Sequence, residues 1–229
     1  MYKFVIILLL TVVLPVTSWS QKIDHNFYSI GVSGGAAFIT ALDAYKDDPN
    51  ATLENGVAFG VSPLYHFSPS AINLSLHIGL SAGYHSSQFV DRDHIFGTLR
   101  STELMILAGI GKYPYSASGG FIKFEVGAGE AITDFKNGSY MDFRDGYYGM
   151  TTKVATDNVF VLSLSLEGGL FISKSFSISA QLLELVENVG NRWTETANNK
   201  TVPLNNLGDF QASTTQFRLS LRYWGGMGE

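Results

Sequence analysis

Apolar and polar residues alternate strictly along one stretch of the chain, from Ile72 to Tyr84. Successive side chains of an extended strand point to opposite faces, so this alternation predicts a strand with one apolar face and one polar face. The run is longer than the roughly 5–6 residues of an average globular strand. It matches a tilted strand that crosses a bilayer, which needs about 9–11 residues.

The same two-faced pattern recurs along the chain and predicts about eight strands. An even number of strands is what a closed bacterial barrel of one chain requires. The predicted fold is therefore all-β, an antiparallel up-and-down transmembrane β-barrel. Pro63 predicts a bulge or a strand end, and blurred alternation across 182–185 predicts a second bulge. The predicted strands are Tyr28–Phe38, Gly56–Phe67, Ile72–Tyr84, Ser101–Gly111, Phe121–Ile132, Val159–Ile172, one that begins at Phe176, and Gln216–Trp224.

The predicted connections alternate between short and long. Short periplasmic turns and long extracellular loops are typical of outer-membrane barrels. The short connections are 68–71, 112–120 and 173–175. The long ones are 39–55, 85–97, 133–158 and 188–215.

Alternation alone does not decide which face points outward, because a soluble lipocalin-type barrel turns its apolar face inward around a ligand. Small Ser and Gly residues dominate the polar face and suit a narrow interior, and charges are scarce on both faces. Both features favour lipid outside, with Leu74, Leu76, Ile78, Leu164, Leu166, Leu219 and Leu221 facing it. Aromatic residues at the strand ends predict interfacial girdles: Phe38, Phe67, Tyr84, Phe121, Phe176, Tyr223 and Trp224.

The beginning of the chain predicts export. Lys3 precedes an apolar run from Phe4 to Leu14, and Ser18 and Ser20 occupy the positions expected before a cleavage site. This is the pattern of a secretory signal peptide over residues 1–20, although a retained helical anchor is the alternative. The mature barrel domain is then 21–229. The net charge of −5 argues against nucleic-acid binding, which needs a basic face.

Charged residues on the polar faces of the strands are the main candidates for a site. In a narrow lumen three acids and three bases should pair, because an unpaired buried charge is costly. One hypothesis is a structural plug of salt bridges, and the other is a narrow conduction path. The six residues are Glu103, Lys123, Glu125, Glu167, Arg218 and Arg222.

Catalytic and metal-binding patterns are weak. His85 and Ser87, with Asp91 or Asp93 nearby, form a possible nucleophile and base pair, but no larger motif supports a lipid-modifying hydrolase. Clustered oxygens across 43–50 suit Ca²⁺, yet the spacing matches no defined loop and a solvated loop is the simpler interpretation. The sequence predicts no catalytic residue, metal or cofactor.

Aromatic residues in one long connection are candidates for contact with a partner, since Tyr-rich surfaces bind well. Packing of the loops over the barrel mouth is the alternative. These residues are Phe135, Tyr140, Phe143, Tyr147 and Tyr148.

From about Phe27 to Trp224, the chain resembles the small outer-membrane β-barrel domain family, the porin-like eight-stranded proteins with OmpA/OmpX-like and PorT-like members. The resemblance implies residence in the outer membrane, contact with its lipids including lipopolysaccharide, and possible envelope protein partners. It also implies insertion by the barrel-assembly machinery, which commonly reads a final strand with a terminal aromatic; Tyr223 and Trp224 end the last predicted strand. The expected function is non-enzymatic, with surface loops that mediate interactions or envelope structure. A narrow passive channel and a lipid-modifying hydrolase are the alternatives.

Overall fold

A computed structural model describes residues 25–42, 51–53, 55–67, 74–91, 94–114, 119–139, 151–189, 193–197, 200–204 and 210–226. The predicted signal peptide lies outside these ranges, as does the Ca²⁺ candidate at 43–50. Within the described ranges, no helix is long and apolar enough to cross a membrane.

Eight long strands form a closed barrel in which every neighbouring pair is antiparallel. Each strand pairs with the next along the chain, and the last pairs with the first, so the sheet has no free edge at this level. The predicted up-and-down barrel is therefore confirmed. Its strands are β1 (Phe27–Leu42), β3 (Asn55–His66), β4 (Leu74–Asp91), β5 (His94–Lys112), β6 (Gly120–Ser139), β7 (Thr151–Phe171), β8 (Phe176–Val189) and β11 (Phe210–Gly225).

Three shorter strands extend the sheet at the end opposite the short turns, which we call the outer end. β2 (Ala51–Leu53) pairs with the end of β4, and the hairpin of β9 (Trp193–Ala197) and β10 (Lys200–Leu204) pairs with the start of β7. Much of the predicted long connections is thus paired strand rather than loop.

The predicted loop 85–97 differs most from the structure. β4 and β5 remain paired until Asp91 lies opposite His94, so the connection between them shrinks to two residues. Likewise β6 and β7 remain paired out to Ser139 and Thr151, with register shifts on the way. At the outer ends of these four strands, polar residues interrupt the apolar alternation. The alternation therefore did not predict that the strands continue as hairpins beyond the apolar band.

Neither predicted bulge is present. β1 pairs with β3 in one unbroken register through Pro63, and the register between β3 and β4 is the same on both sides of it. Proline has no N–H to donate, but the ring of Pro63 is exposed and the register is unshifted on both sides of it. Around 182–185, β8 pairs without a shift on both sides. Leu183 and Leu185 point inward, so the lumen is apolar at this level. Both faces of β8 are therefore apolar here, and the sequence shows no alternation between apolar and polar residues.

The exterior of the barrel carries an apolar band. Leu76, Ile78, Leu164, Leu219 and Leu221 are between 46% and 64% exposed, as predicted for residues that face lipid. From Leu76 to Tyr84 the band spans about 26 Å along the strand at roughly 3.3 Å per residue, and its length in residues matches the about 9–11 that a tilted strand needs to cross a bilayer. The fold is that of an outer-membrane β-barrel.

Aromatic rings line part of the exterior at the end with the short turns, which we call the periplasmic end. They include the rings of Tyr28, Phe176 and Tyr223, which contact one another on the exterior. Two residues predicted for the girdles are placed differently: Phe121 and Trp224 are 3% and 1% exposed and point into the lumen. Phe121 and Trp224 fall on the alternate positions whose side chains point inward. The prediction considered only that aromatic residues lie at strand ends, and not which face they occupy.

Candidate functional site: the barrel lumen

Aromatic rings close the periplasmic end of the lumen. The Trp224 ring lies within 5.4 Å, centroid to centroid, of the rings of Tyr113, Phe121 and Phe171. Phe27 stacks on His66 at 4.5 Å. The Trp224 indole N–H donates to Ser177 Oγ over 2.8 Å, so the polar edge of the ring is satisfied while its faces are packed. We call this group the aromatic floor.

An ion cluster lies directly above the aromatic floor, and we call it the lower cluster. Lys123 Nζ lies 2.6 Å from Glu125 Oε2 and 2.8 Å from Glu167 Oε2. Arg222 Nη2 lies 3.3 Å from Glu167 Oε2, and its guanidinium carbon is 5.9 Å from the centre of the Trp224 ring. Two cations thus offset two carboxylates, all of them buried.

Serine hydroxyls complete the lower cluster. Ser165 Oγ donates to Glu125 Oε2 over 3.2 Å and Ser179 Oγ donates to Glu167 Oε1 over 2.6 Å. Arg222 donates to Ser29 Oγ and Ser62 Oγ over 3.1 and 3.0 Å. A buried ion pair needs such additional hydrogen bonds to offset its loss of hydration, and the small residues of the inner face supply them.

A second group of polar side chains lies nearer the outer end, and we call His85, Glu103 and Glu187 the upper cluster. His85 Nδ1 lies 2.7 Å from Glu103 Oε1, while His85 Nε2 is 3.9 Å from Glu187 Oε1. Ser101 Oγ donates to Glu187 Oε1 over 2.6 Å. All three cluster members are at most 1% exposed.

Glycines make room for the long charged side chains. A Cβ on Gly31 would lie 2.7 Å from Arg222 Nη2, and one on Gly83 would lie 2.2 Å from Glu103 Oε2. The same position at Gly83 is 3.5 Å from Arg218 Nη2, so Arg218 lies beside Glu103. Arg218 Nε also donates to Gln216 Oε1 over 2.7 Å. The Gly-rich inner face is therefore a requirement of packing charge into a narrow barrel.

Apolar side chains fill much of the remaining interior, with Met105, Leu107, Val161, Leu183 and Leu185 all buried. A small cavity of about 20 Å³ lies among residues that include Ser33, Ser81 and Arg218. A water molecule needs about 10–15 Å³ of such volume. The cavity therefore holds about one water and is not a channel.

All six residues of the predicted charge network lie buried inside the barrel. Lys123, Glu125, Glu167 and Arg222 come together in the lower cluster. Glu103 and Arg218 lie apart from them, nearer the outer end, where the ring of His85 contacts Glu103. The predicted single network is thus divided into two groups.

Further polar residues of the lumen were not among the predicted site residues, and they include His66, His77, Glu187 and Gln216, which are all buried. Each has the parity of the inner face, which was the available signal for His66 and His77. Glu187 follows the bulge that was predicted at 182–185. A bulge there would have turned the Glu187 side chain to the outer face. His85 was assigned to a loop because β4 was expected to end at Tyr84.

The proposed nucleophile and base pair is not formed. His85 and Ser87 are two residues apart on β4, and both side chains are fully buried in the lumen. The His85 ring hydrogen-bonds to Glu103, and Ser87 Oγ has no hydrogen-bond partner among the described residues. Within the described part of the chain, no base lies within hydrogen-bond reach of this hydroxyl, and it is buried on the inner face of the barrel. The side chains of Asp91 and Asp93, like those of the contact candidates Phe135, Tyr140, Phe143, Tyr147 and Tyr148, lie outside the described residues.

No protein-family model matches the sequence, and no curated protein matches it. Among solved structures, the chain is similar to the outer membrane protein OprG from Pseudomonas aeruginosa, with 12% identity, 89% of this chain and 99% of that chain covered, and a TM-score of 0.45. It is also similar to Ail, the attachment invasion locus protein of Yersinia pestis, with 14% identity, 87% and 99% coverage and a TM-score of 0.43. A third similar structure is that of Neisserial surface protein A. Its identity is 9%, the match covers 86% of this chain and 96% of that chain, and the TM-score is 0.42.

Proposed function

We propose that this chain is a non-enzymatic outer-membrane barrel that does not conduct, and that holds its outer hairpins and loops in place for contact with other envelope components or the cell exterior. The observation that carries this proposal is the filled lumen. Among the described residues, the aromatic floor, the lower cluster and the apolar layer pack the interior, and the cavity beside Arg218 measures about 20 Å³. A barrel of eight strands has an interior that side chains can fill.

The outer end supports the second half of the proposal. Strand pairing continues past the apolar band in two hairpins, β4–β5 and β6–β7, and the β9–β10 hairpin extends the sheet further. Extended pairing gives the segments between these strands a rigid base. Loops held on a rigid scaffold are a common location for binding residues, and the segment 140–150 supplies Tyr140, Phe143, Tyr147 and Tyr148.

Replacing residues 140–150 by a short Gly-Asn turn tests the loop contact. The strands β6 and β7 stay intact in this variant, so heat-modifiable migration on a gel should be unchanged. Chemical crosslinking and co-purification from native membranes should then lose the partners that the parent protein captures. The matched control replaces the periplasmic turn 115–118 by Gly-Ser residues of equal length and should retain them. Retention of every crosslink by the 140–150 variant would refute the loop contact.

Lipid A mass spectra from cells with and without the gene separate the proposal from the hydrolase alternative. A lipid-modifying hydrolase must leave a mass change, whereas a non-enzymatic barrel leaves the spectra identical. The passive-channel alternative is distinguished by conductance in a planar bilayer.

A further inference from the structure

We propose that the upper cluster is a binding site for one divalent transition-metal cation of the Zn²⁺ class. His85 Nε2 and Glu187 Oε1 are the protein ligands, and Glu103 orients the imidazole ring. The potential ligand atoms of the three residues all lie within 4.8 Å of one another. The site is separate from the loop contacts of the proposed function and does not depend on them.

The imidazole of His85 is held with one nitrogen available. Its Nδ1 lies 2.7 Å from Glu103 Oε1, so Nδ1–H donates to that carboxylate. In the neutral ring this leaves the lone pair on Nε2. Nε2 is fully buried and has no hydrogen-bond partner among the described residues. A carboxylate bound to the second nitrogen of a metal-ligating histidine is the usual arrangement in metalloproteins.

The unpartnered nitrogen faces a carboxylate oxygen at a distance suited to a cation. His85 Nε2 and Glu187 Oε1 are 3.9 Å apart, which is too long for a hydrogen bond. Zinc binds imidazole nitrogen at about 2.0–2.1 Å and carboxylate oxygen at about 2.0–2.2 Å. An ion between the two atoms therefore contacts both with little movement of either side chain.

Charge also favours a divalent cation here. Glu103 and Glu187 place two carboxylates around one imidazole in a fully buried volume, and the Arg218 guanidinium lies on the Gly83 side of Glu103. Ser101 Oγ donates to the same Glu187 oxygen and fixes its position. An imidazole ligand with carboxylates selects zinc and its first-row neighbours over Ca²⁺ or Mg²⁺, which prefer all-oxygen sites.

The test is titration of the purified, EDTA-stripped full-length barrel in detergent with Zn²⁺, followed by calorimetry. We expect saturable binding of one Zn²⁺ per chain. Replacing Zn²⁺ by Co²⁺ provides an absorption spectrum that reports nitrogen and oxygen ligation directly. Failure of the parent protein to bind Zn²⁺, or a Co²⁺ spectrum identical to that of the ion in buffer, would overturn the proposal.

Variants assign the ligands. His85→Gln and Glu187→Gln should each weaken Zn²⁺ binding by about 100-fold or more, and Glu103→Gln by about 10–100-fold, as expected for a group that orients a ligand. The matched control is His77→Gln, a buried histidine that faces Glu125 in the lower cluster, which should bind as the parent does. Heat-modifiable migration establishes that each variant is folded. Equal loss of binding in His77→Gln, or full binding in folded Glu187→Gln, would refute the assignment.

Discussion

In the lower cluster each carboxylate contacts a cation, whereas in the upper cluster His85 Nε2 and Glu187 Oε1 face each other at 3.9 Å without a hydrogen bond. Both groups are equally buried, so depth in the barrel interior does not explain the difference. A compensated buried cluster is costly to break, because removal of one partner leaves an unpaired charge. In the upper cluster two carboxylates surround one imidazole, and a bound cation would offset their charge. The same barrel thus combines a structural plug with a site suited to a guest ion.

The largest expected effect comes from neutralising Glu167 in the lower cluster. Glu167→Gln leaves Lys123 and Arg222 with one carboxylate between them, and breaking a buried ion pair in this way costs about 3–5 kcal/mol. Urea unfolding in detergent or lipid measures the loss. The control Lys174→Gln changes an exposed residue in the short turn between β7 and β8 and should alter the free energy of unfolding by less than about 0.5 kcal/mol. Equal stability of the two variants would show that the lower cluster does not stabilise the barrel as a network of paired charges.

Arginine on the exterior tests the depths of the two clusters. Leu164 adjoins Ser165, which bonds to the lower cluster, and Ile132 adjoins Thr133, which bonds to Glu187. Leu164→Arg should cost about 2–4 kcal/mol and Ile132→Arg about 0–1 kcal/mol, because the penalty falls from the midplane of the bilayer to its interface. Urea unfolding in lipid vesicles provides both values. A reversed order would place the upper cluster at the midplane.

Coupling within the lower cluster is the third expectation. In a double-mutant cycle, Lys123→Met and Glu125→Gln together should cost less than the sum of the single changes, with an interaction energy of about 0.5–3 kcal/mol. The atoms concerned are 2.6 Å apart. Strict additivity, measured by the same unfolding experiment, would show that the two groups do not stabilise each other.

The smallest effect is expected in the upper cluster. In EDTA, Glu187→Gln should change the free energy of unfolding by less than about 1 kcal/mol, because the amide oxygen still accepts from Ser101 and one of two like buried charges is removed. The same substitution at Glu167 provides the comparison. A loss in Glu187→Gln as large as in Glu167→Gln would show that the upper cluster is also a compensated network.

The sequence predicted the wall of the barrel better than its contents. Alternation from Leu74 to Tyr84 identifies the lipid face, because lipid requires apolar residues at every second position. The interior has no such uniform rule: Leu183 and Leu185 are as buried there as Glu187, so parity was lost along β8. Which charged side chains meet depends on how neighbouring strands are aligned. The alternation within one strand does not give that alignment, so it could not predict that Glu103 lies apart from the lower cluster.

Conductance in a planar lipid bilayer tests the central claim, a lumen closed by the aromatic floor and the lower cluster, most directly. The parent protein, inserted at high copy number, should give no steady current above that of the protein-free membrane, because the aromatic floor and the lower cluster pack the described part of the lumen. A large and steady conductance from the folded barrel would contradict the account and replace the plug with a pore.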